Sequence, residues 1–373
     1  MKKLNFIIKC GLALLLLSFY SCESWLNVTP SDRLSEEMLF NDREGFVKAL
    51  NGVYIELNTN ELYGRNLTAG ALDVMGQYYS VASSSHAFYN YGGLVYTGND
   101  EKALFDNMWQ KCYAVIACCN TIIEKCDENK AGLSPVWRGS IKGEALALRA
   151  MLHFDMLRLF GPLTSELDKE SIPYQTNSDQ TVTPLLSGSE VVGLILDDLK
   201  NAVGLLKDTD PYFVEEEFSD TDLNYRRFRM NYFAAKGLMA RVQLWGGDKE
   251  KAAATAKEVI AEGQAEGAEF FPFVTNSEAT SSNPDRVFYS EVLFGTYHSS
   301  REKLHEDLFA PTLESTSILT LAGTARRDDL YDNENDYRYS VWSTYNKNGT
   351  SVLYHRKFEK QDNVTASRQY MIP

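Results

Sequence analysis

Apolar residues recur at intervals of three and four along most of the chain before residue 265. At this spacing side chains share one face of an α-helix, so the pattern predicts amphipathic helices that pack on one another. The predicted helical segments are 46–57, 104–126, 146–157, 192–206 and the pair 232–245 and 249–261. The pattern favours an all-α fold.

Capping signals indicate where several of these helices begin and end. Asn41 is followed three residues later by Glu44, and Ser187 by Glu190, which is the spacing of an N-terminal capping box. The third signal is Gly161-Pro162, a pair that terminates a helix because proline cannot continue it. We therefore expect helices to start close to residues 41 and 187 and one to end at 161.

The last predicted pair has the spacing of a tetratricopeptide helix pair. Ala240 and Ala252 lie twelve residues apart, as do the small residues at which two such helices approach closely. Gln243 departs from the pattern, because an aromatic residue is common at that position, and no second 34-residue copy is obvious. The sequence predicts helical-repeat architecture with repeats that have diverged beyond simple self-similarity.

Two regions lack a sustained helical period. Residues 61–100 hold many tyrosines among Gly, Ser and Asn, and are predicted to form a long loop excursion. From Phe270 onward only short apolar bursts occur, which predicts loops with a few short strands or helices. Long loops in compact proteins are usually functional or disordered, so both regions are candidates for ligand contact.

Four cysteines within fifteen residues raise the question of a metal site or a disulfide. Cys112, Cys119 and Cys126 lie on the apolar stripe of the predicted helix 104–126, two turns apart, or about 10.5 Å. A disulfide needs Cα atoms closer than about 7 Å, and zinc cannot gather sulfurs so far apart on one helix. We interpret these thiols as small buried hydrophobic groups.

Composition and charge indicate an ordinary folded protein and argue against a nucleic-acid partner. The 373 residues are 44% hydrophobic and 24% charged, as in an ordinary folded protein, and the formal net charge is −14. Such a charge repels phosphate backbones, so no nucleic-acid partner is expected.

The first 21 residues predict an export signal. Lys2 and Lys3 precede an apolar stretch, 11–19, and Ser21-Cys22 follows it. This arrangement looks like a bacterial lipoprotein signal, in which Cys22 is lipidated, and a soluble secreted protein cut nearby is the alternative. No later stretch reaches the roughly 18 apolar residues of a membrane helix. We expect residues 1–21 to be removed and the body to be tethered by lipid.

Several sequence runs resemble the SusD/RagB nutrient-uptake lipoproteins of the Bacteroidetes outer membrane. They follow one another in the family's order over nearly the whole chain. The runs are Cys22 with WLNVTP at 25–30, FVKALNGVYIEL at 46–57, KGEALALRAMLHFDMLRLFGP at 142–162, EVVGLILDDLKNAVGLL at 190–206 and AAKGLMARVQLWGGDKEKAAATAKEVI at 234–260.

The resemblance implies a SusD-like, tetratricopeptide-rich helical protein at the cell surface, anchored to the outer membrane by lipid. Such proteins sit over a SusC-like TonB-dependent barrel transporter, to which they deliver oligosaccharides or sometimes peptides, and they are not enzymes. No cofactor is expected. The resemblance divides the chain into a signal peptide, 1–21, a SusD-like helical region, 22–265, and a C-terminal region, 266–373. It implies further helices after SRQYMIP at 367–373, so that the chain is expected to be a naturally short or a truncated form.

Tyrosine and tryptophan rings that stack on sugar faces, with polar side chains beside them, would form the ligand site. The candidate residues come from the two loop regions and are Asp73, Gln77, Tyr78, Tyr79, Tyr89, Tyr91, Trp342 and Tyr345. The histidines show no HExxH or other metal spacing, and the chain has no G-x-S-x-G, P-loop or G-x-G-x-x-G motif. No catalytic or metal-binding residue is therefore predicted.

Three functions remain open from the sequence. The first is a surface glycan-binding lipoprotein that serves a SusC-like transporter. The second is a tetratricopeptide lipoprotein scaffold whose groove binds a peptide or a protein. The third is a truncated product without a role in uptake.

Overall fold

The computed structural model describes residues 36–179, 181–265, 268–331 and 335–373, with side chains described except at 265 and 268–269. The predicted signal peptide and Cys22 lie outside the described residues. The helices are α1 Glu36–Leu39, α2 Arg43–Leu57, α3 Ala71–Met75, α4 Tyr89–Gly92, α5 Asn99–Glu128, α6 Pro135–Phe160, α7 Gly188–Thr209, α8 Asp220–Asn224, α9 Tyr232–Trp245, α10 Lys249–Gly263, α11 Asn276–Thr280, α12 Arg301–Leu308, α13 Thr324–Leu330 and α14 Ala366–Tyr370.

The strands that the structure describes are short and form antiparallel pairs. The strands are β1 Glu170–Pro173, β2 Leu185–Ser187, β3 Gln264–Ala265, β4 Ala268–Glu269, β5 Thr296–Tyr297, β6 Trp342–Lys347, β7 Thr350–His355 and β8 Met371–Ile372. The pairs are β1–β2, β3–β4, β5–β8 and β6–β7. The chain is mostly helical, and the predicted all-α class is confirmed.

The predicted helices are all present, but α5 and α6 begin at Asn99 and Pro135, several residues before the predicted segments 104–126 and 146–157. The predicted caps at 161 and 187 are correct. Helix α6 ends at Phe160 with Gly161 as its C-cap, and Ser187 and Glu190 form a capping box at α7. The predicted cap at Asn41 is wrong by one residue. Asp42 caps α2 instead, because its carboxylate accepts the Gly45 N–H at 2.8 Å.

The long helices pack as sequential neighbours around a first hydrophobic core. Helix α6 contacts α5 and α7, while α9 and α10 form the predicted hairpin. The approach of α6 to α7 is close at Gly143, where a Cβ would lie 2.7 Å from the Leu206 Cγ. Ala240 and Ala252 are both buried, as expected for the close-approach positions of a helix pair.

The cysteine stripe is confirmed. Cys112, Cys119 and Cys126 are fully buried on α5, whereas Cys118 faces solvent, and none of the four forms a disulfide. Burial raises the pKa of each buried thiol, which keeps it protonated and unreactive. Within the described ranges, no group of three or more His, Cys, Asp or Glu side chains has the arrangement of a metal site.

A buried ionic cluster joins the first core to the chain that follows α7. Arg226 donates to both carboxylate oxygens of Asp210, at 3.0 and 2.7 Å, and also pairs with Glu144 of α6. Glu144 in turn accepts hydrogen bonds from the Tyr54 hydroxyl and the Arg229 Nε. All of these groups but Arg229 are almost completely buried, so each charge depends on its partner.

A second hydrophobic core unites two distant parts of the chain. Residues 69–91 pack against residues 304–372, and the backbone N–H of Ser80 donates to the Thr320 carbonyl at 2.8 Å. The predicted loop 61–100 therefore has short helices, α3 and α4, and contributes to a core that it shares with the end of the chain. Its apolar residues lack a helical period because the segment consists mostly of turns and very short helices. The core partners of residues 69–91 include residues more than 200 positions later in the chain. In the part of the chain that the structure describes, no helix is long and apolar enough to cross a membrane.

Candidate functional site

An open cleft of about 590 Å³ lies where the two cores meet. Phe154 and Leu238 of the first core line the cleft, and so do Tyr79 and Phe358 of the second core. The volume is within the usual range for a small-molecule site, roughly 300–1,000 Å³. Because aromatic rings and charged side chains are both exposed to it, the cleft suits a ligand that is amphipathic.

The segment after α3 places two tyrosine rings at the cleft. Gln77 has a left-handed backbone with φ of 60°, which turns the chain so that Tyr78 and Tyr79 follow directly. Their rings meet edge to face at 4.9 Å, and the Tyr78 hydroxyl lies 2.6 Å from the Tyr331 hydroxyl. This pairing ties the first loop region to the second across the cleft wall.

Asp73 of α3 is one of the two acidic residues described at the cleft, together with Asp155. Burial raises the pKa of its carboxyl to about 6, although the positive charge of Lys357 partly opposes the effect. The charged carboxylate is disfavoured because it loses solvation without gaining a close ion pair. Asp73 thus changes charge just below neutral pH.

The raised pKa of Asp73 predicts a pH-dependent change in stability. A group that holds its proton more tightly in the folded state stabilises the fold when protonated, and this contribution is lost as the pH rises through the folded-state pKa. From pH 3.8 to just above 6, wild type should therefore lose about 2–3 kcal/mol relative to Asp73→Asn. Urea denaturation of both proteins across this range measures the difference. A difference that does not vary with pH would contradict the expectation.

His355 lies at the end of β7 and closes the aromatic side of the cleft. Its ring is 4.6 Å from the Trp342 ring, and burial lowers its pKa to about 3, so it is neutral at physiological pH. Its Nδ1 has no hydrogen-bond partner in the described part of the protein. This nitrogen is itself buried, so the ring contributes to the wall of the cleft without presenting a free polar atom to it.

The structure divides the eight predicted ligand residues into three groups. Those that line the cleft are Asp73, Tyr78 and Tyr79, of which Tyr79 is only 4% exposed and also packs in the second core. Those exposed outside it are Gln77, whose Nε2 donates to the Gly92 carbonyl, and Tyr89 and Tyr345, each 42% exposed. Those packed in the second core are Tyr91, 3% exposed, and Trp342, 4% exposed.

Several cleft residues were not predicted from the sequence. They include Asp155, Arg158 and Arg241 on helices α6 and α9, and Arg286, Tyr331, Arg338, His355 and Lys357 from the region after residue 285. This region has no periodic pattern from which a shared face is deducible. The one local signal was the dense mixture of basic and aromatic residues at 354–358, YHRKF, on the strand and turn that face the cleft.

Comparison with protein families identifies a match over residues 24–244, more than half of the chain. The matching SusD-like family is described as starch-binding and associating with the outer membrane. The SusD-like protein P2 of Formosa agariphila is 25% identical over 265 residues, covering 69% of this chain and 46% of that protein. A SusD-like protein of Bacteroides ovatus is 30% identical over 146 residues, covering 38% of this chain and 23% of its own length. The chain thus spans less than half the length of these relatives.

Solved structures share the fold. A SusD superfamily protein of Bacteroides thetaiotaomicron aligns with a TM-score of 0.67 at 19% identity, over 89% of this chain and 72% of its own. A putative sugar binding protein of Bacteroides vulgatus aligns with a TM-score of 0.66 at 21% identity, over 88% and 70%. The segment matched by the family model, 24–244, contains helices α1 to α8 and all but the last residue of α9. The described architecture agrees with the solved folds. The chain therefore belongs to the SusD-like family.

Proposed function

We propose that the protein binds oligosaccharides without covalent chemistry in the cleft between its two cores. The observation that carries the proposal is the cleft itself, about 590 Å³ in volume, with aromatic rings and polar side chains on its walls. Sugars present C–H faces that stack on rings and hydroxyl groups that need hydrogen-bond partners, so they require both kinds of surface. No cofactor or catalytic group enters the proposal.

The candidate residues take different roles in this proposal. Tyr78 offers ring surface, with Tyr79 packed edge to face against it and almost fully buried, and Asp73 accepts hydrogen bonds from sugar hydroxyls. Tyr89 and Tyr345 provide exposed rings where a longer chain of sugars would extend, while Gln77 offers a polar group nearby. Trp342 and Tyr91 act indirectly, because a buried ring supports the neighbours that face the ligand.

The wider role follows from the family and remains part of the proposal. SusD-like proteins are described as starch-binding and outer-membrane associated, and a structural neighbour is described as a putative sugar binding protein. We propose that a lipid on Cys22 holds this protein at the outer surface and that it delivers its ligand to a SusC-like TonB-dependent transporter. The cysteine lies outside the described residues, so the sequence pattern supports this step.

Affinity electrophoresis against a panel of polysaccharides tests the binding proposal. We expect wild type to be retarded by at least one glycan, and Tyr78→Ala to bind about tenfold more weakly because a stacking ring is lost. Tyr78→Phe retains the ring and should keep most of the retardation. Tyr225→Ala is the matched control, since this tyrosine is exposed and lies outside the cleft.

Two results would count against glycan capture. If every gel leaves wild type unretarded, the scaffold function becomes the better explanation, and a peptide library is the next probe. If Tyr78→Ala keeps its circular dichroism spectrum and binds as tightly as wild type, the ligand does not lie in this cleft.

A further inference from the structure

The cleft has the opposite charge from the protein as a whole. Among the described residues that line it, five are cationic, Arg158, Arg241, Arg286, Arg338 and Lys357, and two are acidic, Asp73 and Asp155. Their formal charge is +3, whereas the chain carries −14. A concentration of one sign in a concave site attracts ligands of the other sign.

Part of this positive charge is not neutralised by neighbouring carboxylates. Arg158 pairs with Asp155 at 3.0 Å and Arg338 pairs with Asp336 at 2.6 Å. In contrast, Lys357 and Arg241 form no ion pair within the described ranges. The only ring contact of the Lys357 ammonium that the structure describes is with Phe358, at 5.5 Å.

Arg286 adds a buried cation with spare hydrogen-bonding capacity. Its side chain is 8% exposed, and its Nε has no hydrogen-bond acceptor in the described part of the chain. Its ion-pair partner, Glu359 at 3.0 Å, is shared with Arg356 at 2.7 Å. One carboxylate thus serves two guanidinium groups, and a buried donor without an acceptor costs stability until a ligand supplies one.

We propose that the cleft selects acidic oligosaccharides, sugar chains that carry carboxylate or sulfate groups, over neutral ones. This inference rests on the proposed function and adds the substrate class. The anionic group binds near Arg286 and Lys357, and the sugar rings stack on the tyrosines of the same cleft. Charge-assisted hydrogen bonds to carboxylate or sulfate are stronger than those to sugar hydroxyls, so the charge gives the selectivity.

The test compares pairs of ligands that share a sugar chain and differ in the anionic groups that it carries. Isothermal titration calorimetry of wild type with oligogalacturonate and with its methyl ester keeps the sugar chain and removes the carboxylate charge. Heparin oligosaccharides and their desulfated forms provide the sulfate arm. In at least one pair, we expect the ligand with more anionic groups to bind about tenfold more tightly than its partner. The pair in which this occurs identifies the group, carboxylate or sulfate, that the cleft recognises. The preference should weaken as salt is added, because ions screen the attraction.

The variant Lys357→Met tests whether the preference for charged ligands arises in the cleft. Methionine keeps the length of the stem and removes the ammonium. Since burial lowers the pKa of Lys357, the variant relieves a desolvation cost and is expected to fold. We expect its preference for the charged ligand to fall severalfold with little change for the neutral one. Lys257→Met, an exposed lysine outside the cleft, changes the net charge equally and should leave the preference intact.

The outcomes separate this inference from the proposed function. If wild type binds oligogalacturonate no more tightly than its methyl ester, and heparin oligosaccharides no more tightly than their desulfated forms, the selectivity is refuted and glycan capture stands. If Lys357→Met and Lys257→Met reduce the preference to the same extent, the effect belongs to net charge and the assignment to the cleft is refuted. If neither these ligands nor the polysaccharide panel bind, the proposed function itself fails.

Discussion

Replacement of Arg226 by methionine should lower the free energy of unfolding by about 3–5 kcal/mol. Arg226 is the cation between Asp210 and Glu144, and all three side chains are nearly inaccessible to solvent. Without the guanidinium, the partners that remain to Asp210 among the described residues are the Tyr212 and Tyr232 backbone amides, while Glu144 keeps Arg229 and the Tyr54 hydroxyl. A buried carboxylate that loses its counter-charge is costly, which is why the effect is large. Urea denaturation at neutral pH measures the loss.

Two controls show whether charge is the cause. Asp210→Asn in the Arg226→Met background removes the uncompensated carboxylate and should recover part of the lost stability. Lys169→Met breaks a surface pair with Glu166 and should cost less than about 1 kcal/mol. If the double variant is no more stable than Arg226→Met alone, the lost packing of the side chain, not the buried charge, accounts for the effect.

Replacement of Trp342 by alanine should lower the free energy of unfolding by about 3–5 kcal/mol, because it leaves a large cavity in the second core. The ring packs beside those of Tyr78, Tyr79 and His355, with centroids 6.4, 6.3 and 4.6 Å away. All three neighbours line the cleft, although Tyr79 is only slightly exposed to it. The loss of the Trp342 ring should therefore also weaken glycan retention indirectly. Urea denaturation and affinity electrophoresis of one preparation give both quantities.

Further variants of this region show whether Trp342 stabilises the second core or contacts the ligand directly. Trp342→Phe keeps an aromatic ring in the core and should cost only about 1–2 kcal/mol. Tyr345→Ala removes an exposed ring from the same strand and should leave stability within roughly 0.5 kcal/mol of wild type. If Trp342→Ala retained full stability but lost all glycan retention, Trp342 would be a ligand contact and its assignment to the core would be wrong.

The long helices were predictable because the information for each lies within one stretch of sequence. The apolar stripe from Leu104 to Cys126 runs the length of α5, and the Ser187 capping box is formed by residues three positions apart. The cleft is different, since Asp73 and Lys357 are brought to it from opposite ends of the described chain. The aromatic loop was recognised from composition, but composition did not distinguish Tyr91, which is buried, from Tyr89, which is exposed.

Local pattern was sufficient to determine the helical class, the α9–α10 hairpin, the buried thiols and the resemblance to SusD-like proteins, since helical periodicity and capping act over a few residues. Tertiary structure alone decided which tyrosines reach solvent and that Arg286, His355 and Lys357 share a cleft with Tyr78. It also decided that residues 69–91 and 304–372 form one core. Contacts over such separations depend on where the helical framework places each loop. The sequence of a loop without a hydrophobic period does not indicate which distant residues it will contact.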